Sequence, residues 1–105
     1  SSAASDVYKR QDGTLIIDLH ADEVLETTAG MNSADILHYQ MDIFKKTMAE
    51  NKKNKGQKII FIHGKGEGVL RQALIHELNY RYKSCTYQDA SFQEYGYGAT
   101  QVTIR

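Results

Sequence analysis

The stretch Lys58-Ile59-Ile60-Phe61-Ile62-His63-Gly64-Lys65-Gly66-Glu67-Gly68-Val69-Leu70 decides how this chain folds. From Lys58 to His63 the run is almost wholly apolar and rich in β-branched side chains, the composition of a strand buried on both faces. Gly64, Gly66 and Gly68 then break the chain. Val69, Leu70, Ala73, Leu74 and Leu78 follow at helical spacing and predict an amphipathic helix reaching about to Tyr80.

Working outward, Thr14-Leu15-Ile16-Ile17-Asp18-Leu19 is a second run of the same kind, bounded by Asp12-Gly13. Residues 20–32 carry no clean period. After them Leu37, Met41, Phe44 and Met48 recur as one helical stripe, widened by Ile36 and Ile43, with Asn32 or Ser33 placed to cap the free amides of the first turn. This helix should fade near Asn51, where Asn51-Lys52-Lys53-Asn54-Lys55-Gly56 forms a polar turn ending in glycine. Two buried strands, each followed by a helix, are expected to pair in parallel. Further strands are expected near residues 84–89 and 100–104, joined by a loop over 90–99. The chain has no proline, so every strand is free to lie within a sheet. The class is α/β, with one domain over residues 14–105 and an N-terminal tether over 1–13.

At 105 residues, 41% hydrophobic and 25% charged, the chain is an ordinary globular domain, long enough to bury roughly two-thirds of its unfolded surface without a metal or disulfide. No apolar run is long enough to span a bilayer, and nothing near Ser1 pairs a basic region with an apolar core in the manner of a signal peptide, so secretion and membrane insertion are not expected. The single cysteine, Cys85, has no partner for a disulfide or a zinc site, which fits a reducing, cytoplasmic setting, and it is expected to pack as a small apolar group in a strand. The polar opening from Ser1 to Asp6 suggests a domain cut from a longer parent chain with other domains.

Thirteen basic residues balance thirteen acidic ones, but unevenly. Residues 1–42 hold eight acids against Lys9 and Arg10, whereas residues 43–83 hold ten bases against Glu50, Glu67 and Glu77. Either one side of the molecule is basic, or the lysines over 45–58 merely complement a helix C-terminus and solvate its turn.

Chemistry gathers at the ends of the two central strands. Asp18 and His20 leave the first on one face, and His63 ends the second. Parallel pairing would bring all three to a crevice at the carboxyl edge of the sheet, where open α/β sheets bind ligands. The glycines of the following turn let the backbone approach a ligand, and the turn opens into a helix whose amides attract anions, with Lys65 and Arg71 adding charge. This is a phosphate cradle, yet it matches neither GxxxxGK[ST] nor GxGxxG, which excludes P-loop and dinucleotide-binding readings and any nucleotide cofactor. A late loop, Gly96-Tyr97-Gly98-Ala99-Thr100, follows Phe92 and Tyr95, whose rings are candidates to stack on bases. His38 and His76 lie within helices without a partner at zinc-ligand spacing and read as structural.

At these residues the sequence resembles the Smr (small MutS-related) domain, marked by Leu-Asp-x-His and His-Gly-x-Gly motifs. They stand here as Ile17-Asp18-Leu19-His20 and His63-Gly64-Lys65-Gly66, and the likeness continues through Gly68-Val69-Leu70-Arg71 and the late loop, from Leu15 to Ile104. The resemblance implies a β-α-β-α-β-β two-layer sandwich with a four-stranded mixed sheet, similar to the C-terminal domain of bacterial translation initiation factor three. It also implies nucleic-acid binding and, in several members, endonuclease cleavage of RNA or nicking of structured DNA. Ala21 replaces the glycine that usually follows the first motif, and residues 22–32 are a longer link than usual; this longer form looks like a bacterial subgroup.

Three functions follow as expectations. In the first, an endonuclease, Gly64, Lys65, Gly66, Gly68 and Arg71 hold a phosphate, with Gly96, Gly98 and Thr100 beside them. Asp18 and His20 polarise the attacking water or 2′-hydroxyl, directly or as ligands of Mg2+ or Mn2+, and His63 protonates the leaving oxygen. The second is a module that grips structured DNA or RNA without cutting. The third is a protein-interaction domain whose acidic segment, residues 18–26, docks a basic partner.

Overall fold

The computed structural model describes residues 8–11, 13–19, 26, 28–64, 68–90 and 98–105. In chain order the elements are β1 (Tyr8–Gln11), β2 (Thr14–Asp18), α1 (Ser33–Asn51), β3 (Lys58–Ile62), α2 (Val69–Arg81), β4 (Thr86–Asp89) and β5 (Ala99–Thr103). The strands form one mixed sheet in the order β1-β2-β3-β5-β4. The two apolar runs pair in parallel, Leu15 beside Ile59 and Ile17 beside Phe61; β5 lies antiparallel to both β3 and β4.

Alternation along the strands sorts the apolar side chains onto two faces. Leu15, Ile17, Ile59, Phe61 and Val102 join Met41, Phe44 and Met48 of α1 and Leu70, Leu74 and Leu78 of α2 in the main core. Both helices therefore cover the same face, which makes two layers. Ile16, Ile60, Ile62 and Ala99 form a smaller cluster on the other face. Phe44 centres the main core, meeting Phe61 edge-on at 4.9 Å and Tyr82 at 5.9 Å. Burying a side chain of this size contributes about 1.5–3 kcal/mol.

The first helix starts where a cap was expected, with Asn32 Oδ1 accepting the Asp35 amide at 2.8 Å. Its inner face also buries polar side chains, each given a backbone acceptor: Gln40 donates to Leu19 O, Thr47 to Ile43 O and Asn51 to Thr47 O. Val69, expected in the stripe of the second helix, is exposed, while Leu70, Leu74 and Leu78 carry that helix's burial. Cys85 is a half-buried free thiol one residue before β4, packed against the main core.

The sheet is wider than four strands. Within the segment expected to be a tether, β1 pairs antiparallel with β2, Gln11 opposite Thr14 across a two-residue connection. Main-chain pairing needs no apolar side chains, and β2 would otherwise present an open row of amides and carbonyls. Gln57 secures the hairpin by donating to Gly13 O at 2.8 Å.

Candidate functional site

Parallel pairing brings the carboxyl ends of β2 and β3 to one edge, with Leu19 N–H donating to Ile62 O at 3.0 Å beyond the last strand residues. Because β5 runs the other way, it begins at that edge, and α2 starts there at Gly68. Four of the sequence-predicted residues meet directly. His63 N–H and Gly64 N–H both donate to Gly98 O, each at 3.0 Å, so two residues face one in the manner of a β-bulge, a device that re-aims a chain at a sheet rim. Gly98 sits so close that a Cβ there would lie 2.7 Å from Gly64 O and 3.3 Å from His63 Cε1.

His63 is 7% exposed, and both ring nitrogens have neighbours inside the fold. Nδ1 lies 3.3 Å from Gly64 O and Nε2 3.0 Å from Thr100 Oγ1. The tautomer carrying hydrogen on Nδ1 suits both contacts, because a carbonyl only accepts and the threonine hydroxyl can then donate to Nε2. Thr100 is itself buried, opposite Phe61 on the helix-covered side.

Asp18 ends β2 half-buried, paired in register with Ile62. By alternation it follows Ile16 on the face away from the helices, whereas His63 reaches Thr100 on the helix side. The edge is shared, but these two side chains approach it from opposite faces. Gln40, buried on α1, holds the exit of β2 by donating to Leu19 O at 3.1 Å. Sequence reasoning passed over it, although its place one residue before Met41 on the stripe was a signal.

Gly68 begins α2 with φ +80°, a left-handed conformation that favours glycine, and open space lies where a side chain would stand. Arg71, in the first turn, donates from Nη2 to Asp89 Oδ1 at 2.9 Å. Asp89 at the end of β4 is a second residue the sequence reading did not select. Arg71 keeps further donors on its planar group, since one contact uses one of five N–H bonds. His20, Lys65, Gly66 and Gly96, together with Phe92 and Tyr95, lie outside the described residues. His38 and His76 are exposed on the helices, His38 3.6 Å from Asp42 and His76 stacked on Tyr80.

Among the described residues no group of three His, Cys, Asp or Glu side chains is placed to hold a metal ion. Asp18 offers one hard oxygen donor, which suits Mg2+ or Mn2+ when substrate phosphates and water complete the shell. No helix among the described residues is long and apolar enough to cross a membrane.

The sequence profile of the Smr domain family matches residues 30–105. That span takes in His63, the glycine-rich turn, α2 and the late loop; Asp18 and His20 precede it. No curated protein and no solved structure matches the chain.

Proposed function

Because the chain belongs to the Smr domain family, a nucleic-acid-binding, nuclease-related family, we propose that it binds structured RNA or DNA and cuts a phosphodiester bond at the carboxyl edge of its sheet. What supports this reading is that β2 ends in Asp18 at the same sheet edge where the bulged His63-Gly64 turn and the start of α2 stand. The amides that follow Gly64, up to Val69, hold the phosphate of the bond to be cut with Lys65, Gly66 and Arg71, while the Gly64 amide, expected to join them, is taken by Gly98 O. Asp18 takes the proton of the attacking water or 2′-hydroxyl as the new P–O bond forms. The P–O bond to the leaving oxygen breaks, and His20, two residues on from Asp18, supplies that oxygen's proton. A divalent ion held by the Asp18 carboxylate would supply charge stabilisation of the phosphoryl oxygens, with His20 left off the ion and free to give its proton.

His63 has another part. With both ring nitrogens engaged inside the fold, it pins the turn against Thr100 and shapes the cradle, and protonating the leaving oxygen falls to His20. Gly98 serves the same shape by letting β5 approach the turn, and Thr100 of β5 holds the His63 ring.

The test is incubation of the chain with end-labelled stem-loop RNA and branched DNA, with and without Mg2+ or Mn2+, beside Asp18→Asn. Cleavage by the parent chain, reduced at least a hundredfold in a variant that melts at the same temperature, is the expected result. Because Asp18 and His20 precede the matched span, a second reading stands as the opposing outcome: binding without cleavage under every condition makes the chain a gripping module.

A further inference from the structure

Most of the exposed cations among the described residues collect at the end of the molecule opposite Gly64 and Gly68. β2, β3 and β4 run in one direction, so the amino ends of β3 and β4 and the C-termini of both helices share one pole. Lys58, Thr103 and Thr86 stand side by side there across three strands. The turn into β3 contributes Lys52, Lys53, Lys55 and Lys58, and the end of α2 contributes Arg81 and Lys83. Arg105 follows β5, and all of these residues are exposed. The other end holds Asp18, Asp35 and Asp89, with Arg71 tied to Asp89. The chain is neutral in sum, and its described charges are polarised along the strands.

Helix C-termini account for part of this charge and not for all of it. The last turn of α1 contains no basic residue, and the lysines follow it on the turn. Arg81 Nε lies 3.1 Å from Glu77 Oε2, an ion contact without hydrogen-bond alignment. Two helix ends carry roughly one negative charge between them, so with Glu77 and Glu50 also counted a positive surplus remains among the described residues. The pole is also concave: Lys52, Lys55, Arg81 and Arg105 rim a cavity floored by Met48 and Ile104. Its described lining contains no acidic residue.

The geometry points to this pole as the main gripping surface for nucleic acid, a site that takes backbone phosphates through Lys52, Lys55, Arg105 and their neighbours. It rests on the nucleic-acid reading above and adds where the strand is held: at the end away from the glycine-rich turn. A polyanion drawn by long-range attraction meets the lysine-bearing end first, because the described charges of the opposite end are mainly carboxylates, Asp18, Asp35 and Asp89. Phosphate contacts of this kind fix position without reading sequence.

The experiment measures binding of the whole chain to a 12-base-pair stem-loop RNA by fluorescence anisotropy at about 50 to 200 mM salt, the range over which phosphate contacts show themselves. The parent chain is compared with Lys52→Gln/Lys55→Gln, and poly-glutamate serves as a second probe. These lysines are exposed, so melting temperature should stay put and certify the fold. The expected result is an affinity loss of about tenfold or more, with the slope of log K against log salt smaller by about two. Equal affinity and slope in parent and variant would overturn the grip at this pole while leaving nucleic-acid binding in place. No RNA binding by the parent chain would overturn the nucleic-acid reading itself. Lysine-dependent binding of poly-glutamate as tight as that of RNA would mean the pole serves an acidic protein.

Discussion

Gly98 leaves no room for even one methyl group. Its missing Cβ would press on Gly64 O at 2.7 Å, a backbone atom that yields only if the turn moves. Gly98→Ala should therefore cost about 1–3 kcal/mol, read as a lower midpoint in urea, and should loosen the His63 contact with Thr100. An unchanged midpoint would show that the turn shifts freely. Tyr82 offers a test in pH. Burial of its hydroxyl, reinforced by Glu77 and only partly offset by Arg81, raises its pKa above the usual 10.0. A raised value means the folded state holds the proton more tightly, so the stability from this group is complete below the unfolded pKa and lost as pH climbs through the folded one. Stability should fall above about pH 10, and fall less in Tyr82→Phe, when unfolding is followed at stepped alkaline pH. At this scale the sequence made His63 visible because it ends an apolar run before glycine. What it could not show was the engagement of both ring nitrogens, since the partner of Nε2, Thr100, lies far away along the chain.

The elements were largely legible because their patterns are local. Asn32 caps α1, Gly68 opens α2, and the runs at 14–18 and 58–62 are strands, each as the periodicity required. The hairpin strand β1 was not, since Tyr8-Lys9-Arg10-Gln11 carries no apolar alternation. Its signal was the connection itself: Asp-Gly between two extended segments is a strong short-range hairpin cue. Deleting residues 1–11 should bare the outer edge of β2, where Leu15, Ile16 and Ile17 are buried. Light scattering should then report self-association by edge pairing, and a variant that stays monomeric would show the strand to be dispensable.

Among the described residues, the lysines of the 52–58 turn gather at one end of the sheet and Asp18, Asp35 and Asp89 at the other. Topology made it so: the lysine-rich turn leads into β3, while Asp18 and Asp89 end β2 and β4, and β2, β3 and β4 all point the same way. Sequence could count these charges but not orient them, because which end a turn occupies depends on strand direction. The same limit let Asp18 and His63 be assigned to one edge and hid the fact that they come to it from opposite faces.

The length of β3 sets a distance. Five residues, Lys58–Ile62, separate the lysine-bearing end from the glycine-rich turn, about 17 Å of extended chain. A strand seated at one end and opened at the other is measured by the sheet as by a ruler, so the domain would choose its cutting position by length from the grip and not by the letters in between.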